Sequence, residues 1–157
     1  MRYFLANLVL ALIWWKATGR PEPGPAAVGF VVGYLVLWWL QPVLGWSSYF
    51  RKLPAALVLA AVFVYELTIS SLRVAWVVIT PGARCRPGFV QVPLDATSDA
   101  EITLLANLVT LTPGTLSLGE SPDRRTLHVH AMFLEDPEAI CANIKSQFER
   151  RILALLR

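Results

Sequence analysis

The chain changes character within the stretch Val77-Val-Ile-Thr-Pro-Gly-Ala-Arg-Cys-Arg-Pro-Gly-Phe-Val-Gln-Val92. Three apolar segments, separated by short loops, lie before Pro81, and a sequence of ordinary soluble composition follows it. The whole chain is 55% hydrophobic over 157 residues, which is too apolar for a globular domain of this size. The pattern therefore predicts a membrane anchor over residues 1–83 and a small domain outside the lipid over residues 84–157.

The distribution of charge agrees with this division. Residues 1–83 contain six Lys or Arg and two acids, whereas residues 84–157 contain eight Lys or Arg and nine acids. The net charge of +3 therefore comes from the apolar half, where cations are typical of helix ends at a membrane surface. We expect a lipid bilayer as a partner and no nucleic acid.

The anchor is predicted to contain three transmembrane helices, at about residues 3–18, 26–44 and 54–80. The first is short, because 16 residues rise about 24 Å against a hydrocarbon core of about 30 Å. Pro54 is placed in the first turn of the third helix, where a missing N–H costs little.

Aromatic and basic residues predict the topology. The pairs Trp14-Trp15 and Trp38-Trp39 fall at opposite interfaces of a helical hairpin, as an aromatic belt requires. Three spans place the two chain ends on opposite sides. The cations divide into Lys16, Arg20, Arg84 and Arg86 on the side of the C-terminal domain, and Arg2, Arg51 and Lys52 on the other. We predict that the domain is cytoplasmic.

Two features inside the apolar segments are candidates for contacts. Gly29-x-x-x-Gly33 would allow another helix to approach closely, although glycine is also common in membrane helices by chance. Glu66 and Arg73 are separated by nearly two helical turns, so they share a face with Ser70 between them. An ionisable residue within a membrane segment is a functional candidate, here either a contact to a partner helix, which we favour, or part of an ion pathway.

The C-terminal domain is predicted to be a small α/β module of order βαββα. Strands are predicted at residues 89–92, 115–118 and 126–133. Ser98 and Glu101 form a capping box that opens a helix to about Thr110. Asp136 caps an amphipathic terminal helix, whose core stripe comprises Ile140, Ile144, Phe148 and Ile152.

The sequence contains little that indicates chemistry. His128 and His130 point to one face of a strand, but ordinary histidines are favoured over a metal pair, since nothing marks a third ligand. Cys85 and Cys141 are expected to be free thiols. We find no nucleophile motif, phosphate loop or catalytic acid pair, and predict neither enzyme activity nor a cofactor.

One motif resembles a known family. The run Leu105-Ala-Asn-Leu-Val-Thr-Leu-Thr-Pro-Gly-Thr-Leu-Ser-Leu118, followed by Thr126-Leu-His-Val-His130, is similar to the E subunit of Mrp-type multisubunit sodium/proton antiporters. The residues that carry the resemblance are Asn107, Thr110, Thr112, Pro113, Gly114, Thr115, Leu127 and His130.

The resemblance implies a bacterial cell-membrane complex of several membrane proteins that exchanges sodium for protons. Within it, this chain would be a non-catalytic accessory and assembly subunit, bound to other subunits and to no small-molecule substrate of its own. The motif would then form a packed corner, in which the hydroxyls of Thr110 and Thr112 satisfy carbonyls at the helix end and Gly114 permits the reversal.

Two other interpretations stay open from the residues alone. The chain could be a free-standing membrane-anchored binding module that recruits a soluble partner. It could also be an enzyme with a membrane-embedded site around Glu66 and Arg73.

Overall fold

The computed structural model describes residues 2–20, 22–80, 85–134 and 136–157. Two compact units are present, Met1–Leu53 and Pro54–Arg157. The predicted boundary at residues 83/84 lies outside the described residues, as does Arg84. The division into a membrane anchor and an external domain therefore stays a prediction.

The first unit contains the helices α1 (Arg2–Thr18), α2 (Pro23–Trp39) and α3 (Gln41–Leu44). The second predicted segment was expected to continue to Leu44, but α2 ends at Trp39. Pro42 explains the break, because it lacks an N–H and its ring would clash with the carbonyl four residues earlier. Pro42 instead lies in the first turn of the short helix α3, where this defect is tolerated.

The long helix α4 (Tyr49–Ile79) begins five residues before the predicted start, so Pro54 lies inside the helix. Pro54 leaves the carbonyl of Phe50 without its usual helical donor. The Tyr34 hydroxyl replaces that donor, at 3.1 Å from the Phe50 oxygen. This replacement explains how the helix begins before a proline.

Among the described residues, α4 is the helix that is long and apolar enough to cross a membrane, with 31 residues. The 17-residue helix α2 is apolar but shorter. The three predicted segments are thus all helical, whereas three membrane spans are not confirmed.

The second unit contains β1 (Gly88–Pro93), α5 (Asp99–Leu111), β2 (Thr115–Glu120) and β3 (Thr126–Ala131). The strands form an antiparallel sheet of order β1-β3-β2, so α5 crosses from one edge strand to the other. The third strand was expected to reach Phe133, but that residue instead bridges to Arg86. The predicted order of strands and helices in the domain is otherwise observed.

The terminal helix is not a single α-helix. It consists of α6 (Pro137–Asn143), a π-helical segment (Ile144–Glu149) and α7 (Arg150–Leu156). Side chains spaced four apart drift by about 40° per step around an α-helix. The wider turn of the π segment counters this drift, and Ile144, Phe148 and Ile152 are all buried.

The core of the second unit lies between one face of the sheet and the helices α5, α6 and α7. Alternation along β3 buries Leu127, Val129 and Ala131 and turns the two histidines to the other face. Leu59 of α4 joins this core. The buried core side chains are Leu59, Val90, Val92, Leu105, Leu108, Val109, Leu127, Val129, Ile144, Phe148 and Ile152.

Candidate functional site: a groove between α4 and the Thr112–Thr115 corner

The turn from α5 into β2, Thr112-Pro-Gly-Thr115, is built by threonine hydroxyls; we call it the corner. The Thr112 hydroxyl donates to the Leu108 carbonyl at 2.9 Å. The Thr115 hydroxyl lies 2.7 Å from the Val109 carbonyl and 3.0 Å from that of Thr112. The Val109 and Thr112 carbonyls also accept backbone N–H groups, from Thr112 at 3.2 Å and from Thr115 at 3.1 Å, so the threonine hydroxyls reinforce the end of the helix.

A second set of hydroxyl contacts ties β2 to the side of α5. Ser117 donates its hydroxyl proton to the Ala106 carbonyl at 3.0 Å. The Thr110 hydroxyl, 2.6 Å from the Ser117 oxygen, must then be the donor of that pair. In return Thr110 accepts the Ser117 backbone N–H at 3.2 Å. Ser117 was not among the predicted contact residues, because its partner Ala106 lies eleven residues away.

Gly114 gives the corner its reversal. Its φ is +91°, in the region that side-chain-bearing residues avoid. A Cβ built there would lie 3.4 Å from the Phe133 ring and 3.8 Å from the Val74 side chain, which is ordinary contact. The requirement for glycine at this position is therefore conformational rather than steric. The Gly114 carbonyl also accepts the Met132 N–H at 2.8 Å, which joins the corner to the end of β3.

A groove of about 150 Å³ lies between the second half of α4 and this corner. Its walls bring together two sets of predicted residues that are far apart in the sequence, the polar face of α4 and the family-like motif. The α4 wall is formed by Glu66, Ile69, Ser70 and Arg73. The facing wall comprises Val109, Thr112, Pro113, Gly114, Thr115, Ala131, Phe133, Ile140, Asn143, Ile144 and Phe148.

Glu66 and Arg73 are the charged groups among the described residues that line the groove. Glu66 is half-buried and Arg73 is exposed. Neither has an ion-pair or hydrogen-bond partner in the described part of the chain. Their separation of seven residues corresponds to a rise of about 10 Å along α4, which is too far for a direct contact. The groove thus offers a carboxylate and a guanidinium that no described residue pairs with, together with hydroxyl and amide groups.

Gly29 and Gly33 lie where α2 meets α1. A Cβ at Gly29 would come within 2.7 Å of the Trp14 Cβ and 3.1 Å of the Ala11 Cα. At Gly33 it would collide with the side chain of Asn7, which is fully buried. Both glycines therefore permit the close approach of these two helices.

Asn107 and His130 do not line this groove. Asn107 is exposed and borders a separate depression beside Asp99 and Arg124. His130 is half-buried on the open face of the sheet, where its ring meets that of Phe89 edge-on at 5.2 Å. In the described part of the chain, neither histidine joins a group of three or more side chains that could hold a metal.

Two buried carboxylates, in contrast, hold the loop between β1 and α5. Glu149 is 1% exposed and accepts the N–H groups of Asp95 and Ala96 at 2.6 and 2.9 Å. Its second oxygen lies 3.4 Å from the Lys145 ammonium, an ionic contact without hydrogen-bond geometry. The π segment presents this carboxylate to the loop, and no sequence pattern marked it.

Glu101, at the start of α5, binds the same loop through the backbone N–H groups of Thr97 and Ser98. It completes the predicted capping box with Ser98 and also accepts from Arg157 at 3.0 Å. The hydrogen bond from Arg157, together with those from the backbone N–H of Thr97 and Ser98, lowers the pKa of Glu101 from 4.5 to about 2. Arg157, at the end of α7, is thereby tied to the start of α5.

Comparison with known proteins identifies the family. The family model described as Na+/H+ ion antiporter subunit, MNHE, matches residues 7–155. The chain is similar to the E subunit of the Na(+)/H(+) antiporter of Alkalihalophilus pseudofirmus, with 35% identity over 98% of this chain and 97% of the relative. It is 34% identical to the corresponding antiporter protein of Bacillus subtilis, over 98% and 97% of the two chains.

Solved structures give two further similarities. One is a chain in the structure of the Mrp complex from Dietzia sp., with 35% identity over 60% of this chain and 89% of that one, at a TM-score of 0.49. The other is a chain of the membrane-bound sulfane sulfur reductase, an archaeal respiratory membrane complex, with 22% identity over 99% of both chains and a TM-score of 0.61. The latter shows a shared fold. Because the family model and the relatives cover nearly the whole chain, this protein belongs to the MNHE family of Na+/H+ ion antiporter subunits.

Proposed function

We propose that this protein is a non-catalytic accessory subunit that assembles with the other subunits of a multisubunit sodium/proton antiporter in the bacterial cell membrane. The observation that carries the proposal is the groove, where the polar face of α4 meets the family-like corner. Glu66 is the one acidic residue between Tyr49 and Ile79. The other polar groups that line the groove in the described part of the chain are hydroxyl, amide and guanidinium groups, so these residues supply no series of carboxylates along which protons could pass.

The role follows from what the groove connects. On one side is a helix of membrane length, and on the other is the end of the sheet domain. A subunit that joins such a helix to such a domain can present a surface to its neighbours without taking part in ion exchange. The relatives are named as subunits of a Na+/H+ antiporter, which supports partners of that kind.

The topology we propose keeps three membrane spans with the domain in the cytoplasm. α1 and α2, with 17 residues each, rise about 25 Å and would need interfacial residues to complete the crossing. Lys16 and the paired tryptophans stand at the helix ends where such residues are required. α4 rises about 46 Å, against a hydrocarbon core of about 30 Å. Because Leu59 and the groove residues Glu66 and Arg73 face the domain, a crossing by α4 requires the domain to separate from this part of the helix.

The test is the composition of the particle that contains this chain. The protein is extracted gently from its native membrane and analysed by native mass spectrometry. We expect it to copurify with large polytopic membrane subunits at a fixed ratio. Recovery as a monomer bound to a soluble protein would instead support the free-standing anchored module and would refute the proposal.

A further inference from the structure

A second cavity lies within the first unit, at the end of the α1–α2 pair where the chain enters α4. It has a volume of about 500 Å³ and is open to the outside. α1 contributes Arg2, Tyr3 and Ala6, and α2 contributes Leu37. The connection that follows completes the wall with Leu44, Gly45, Trp46 and Ser47.

The cavity is held in shape by contacts around it. The Tyr3 hydroxyl donates to the Gly45 carbonyl, so one wall is bound directly to another. Asn7, one turn further along α1, donates to the Tyr49 hydroxyl at 2.9 Å. The rings of Tyr3 and Phe50 meet edge-on at 5.5 Å. These bonds and ring contacts make the cavity a preformed feature of the unit.

The lining separates into an apolar and a polar part. Ala6, Leu37 and Leu44 supply aliphatic surface, whereas Arg2, Ser47 and the Gly45 backbone are polar. The Arg2 guanidinium has no ion-pair or hydrogen-bond partner among the described residues. Trp46 is 86% exposed at the rim of the cavity. An exposed indole ring is favourable where it lies at the level of lipid headgroups.

The charge at this end of the unit is positive. Arg2, Arg51 and Lys52 all belong to the segments that meet here, whereas the one acid in residues 1–53, Glu22, lies in the loop at the far end of α1 and α2. An anionic group would therefore be attracted to this end, and a guanidinium is well suited to bind phosphate oxygens in pairs.

We infer that this cavity binds an anionic phospholipid, with the headgroup phosphate at Arg2 and the first part of an acyl chain against Ala6, Leu37 and Leu44. A free phosphate would use the guanidinium and leave the aliphatic surface without a role. A zwitterionic lipid would use the surface but gain less from the excess of positive charge. The inference depends on the family's membrane location and not on the accessory role proposed above.

The experiment measures bound lipid on the full-length protein, extracted gently with whatever subunits accompany it. Native mass spectrometry counts phospholipids retained after exchange into detergent with equal amounts of phosphatidylglycerol and phosphatidylcholine. We expect selective retention of phosphatidylglycerol. Arg2→Gln should reduce its occupancy about fivefold or more, since a basic residue near the membrane surface contributes on the order of that factor.

Two further variants make the result specific. Arg20→Gln removes an exposed cation at the other end of the helices and should retain wild-type occupancy. Ala6→Phe fills the aliphatic part while keeping Arg2, so it should also lower occupancy even if Arg2→Gln disturbs folding. Equal retention of both lipids, displacement by millimolar inorganic phosphate alone, or wild-type occupancy in both Arg2→Gln and Ala6→Phe would overturn the inference. The readout is lipid occupancy, which does not depend on antiport, and comparing the variants within the same particle cancels the lipid bound by accompanying proteins.

Discussion

Gly114 adopts a backbone conformation that β-branched residues strongly avoid, and the whole corner depends on it. Gly114→Val is expected to destabilise the domain by about 1 kcal/mol or more, because its φ of +91° is unfavourable for a branched side chain. The variant should also assemble poorly. Thermal unfolding of the purified protein, followed by circular dichroism, measures the first effect.

The matched control at this position is Gly114→Asn. Asparagine tolerates positive φ better than other residues with side chains, and a Cβ has room there. It should retain most of the stability that valine loses. Equal loss in both variants would show that contacts, and not backbone conformation, require glycine.

Glu101 makes the stability of the domain dependent on pH, because its stabilising contribution is lost in acid. Its folded-state pKa of about 2 lies below the ordinary value of 4.5, so its contribution is fully present above pH 4.5 and is lost as pH falls through about 2. We expect wild type to unfold at a higher temperature than Glu101→Gln at pH 7, with the difference shrinking as the pH falls below 4.5. Glu138→Gln, at an exposed carboxylate of α6, is the control.

If the gap between wild type and Glu101→Gln is the same at pH 7 and pH 3, the contacts from Arg157 and the loop N–H groups do not act through the carboxylate charge. Glu149 also holds this loop, so the two carboxylates should not be removed together in this test.

At the scale of elements, the first turns of α4 depend on a hydrogen-bond donor that comes from α2. Pro54 cannot donate to the Phe50 carbonyl, and the Tyr34 hydroxyl does so instead. Tyr34→Phe should therefore leave a carbonyl unsatisfied and cost about 1 kcal/mol. In Pro54→Ala the new N–H can take that place, so Tyr34→Phe should cost much less in that background.

This is a double-mutant cycle, measured as shifts in unfolding temperature in detergent. Additive effects of the two substitutions would mean that the tyrosine does not compensate for the proline.

The elements that were predicted correctly are those with local signals. The capping box at Ser98 and Glu101 and the turn at Thr112 to Gly114 are recognised from residues a few positions apart. The true start of α4 was missed because its compensation comes from Tyr34, sixteen residues before Phe50. Glu149 and Arg157 reach partners more than fifty residues away, a distance at which periodicity carries no information.

The same limit applies to the candidate site. Glu66, Arg73 and the corner were each noticeable by composition or motif, but only the packing of α4 on the domain places them in one groove. The π segment was also not predictable. Apolar residues spaced four apart fit an ordinary α-helix, and only the burial of both Phe148 and Glu149 distinguishes the wider turn.

At the scale of the whole molecule, the proposed three-span topology makes a prediction about sidedness. Single cysteines are placed at Arg2, Arg20 and Pro122 after Cys85 and Cys141 are replaced by alanine. An impermeant thiol reagent should label Arg20→Cys and Pro122→Cys from the cytoplasmic side and Arg2→Cys from the other side. Labelling of Arg2→Cys and Pro122→Cys from one side would refute three spans.

The central claim is that this subunit supports exchange without carrying ions, and Glu66 tests it most directly. Glu66→Gln keeps the shape of the side chain and removes its charge, and Glu22→Gln is the control in a loop. Sodium-driven proton movement is measured in membrane vesicles and normalised to assembled complex. We predict near-wild-type exchange per complex for both variants, with at most weaker assembly for Glu66→Gln. Abolished exchange in a fully assembled Glu66→Gln complex would contradict the claim.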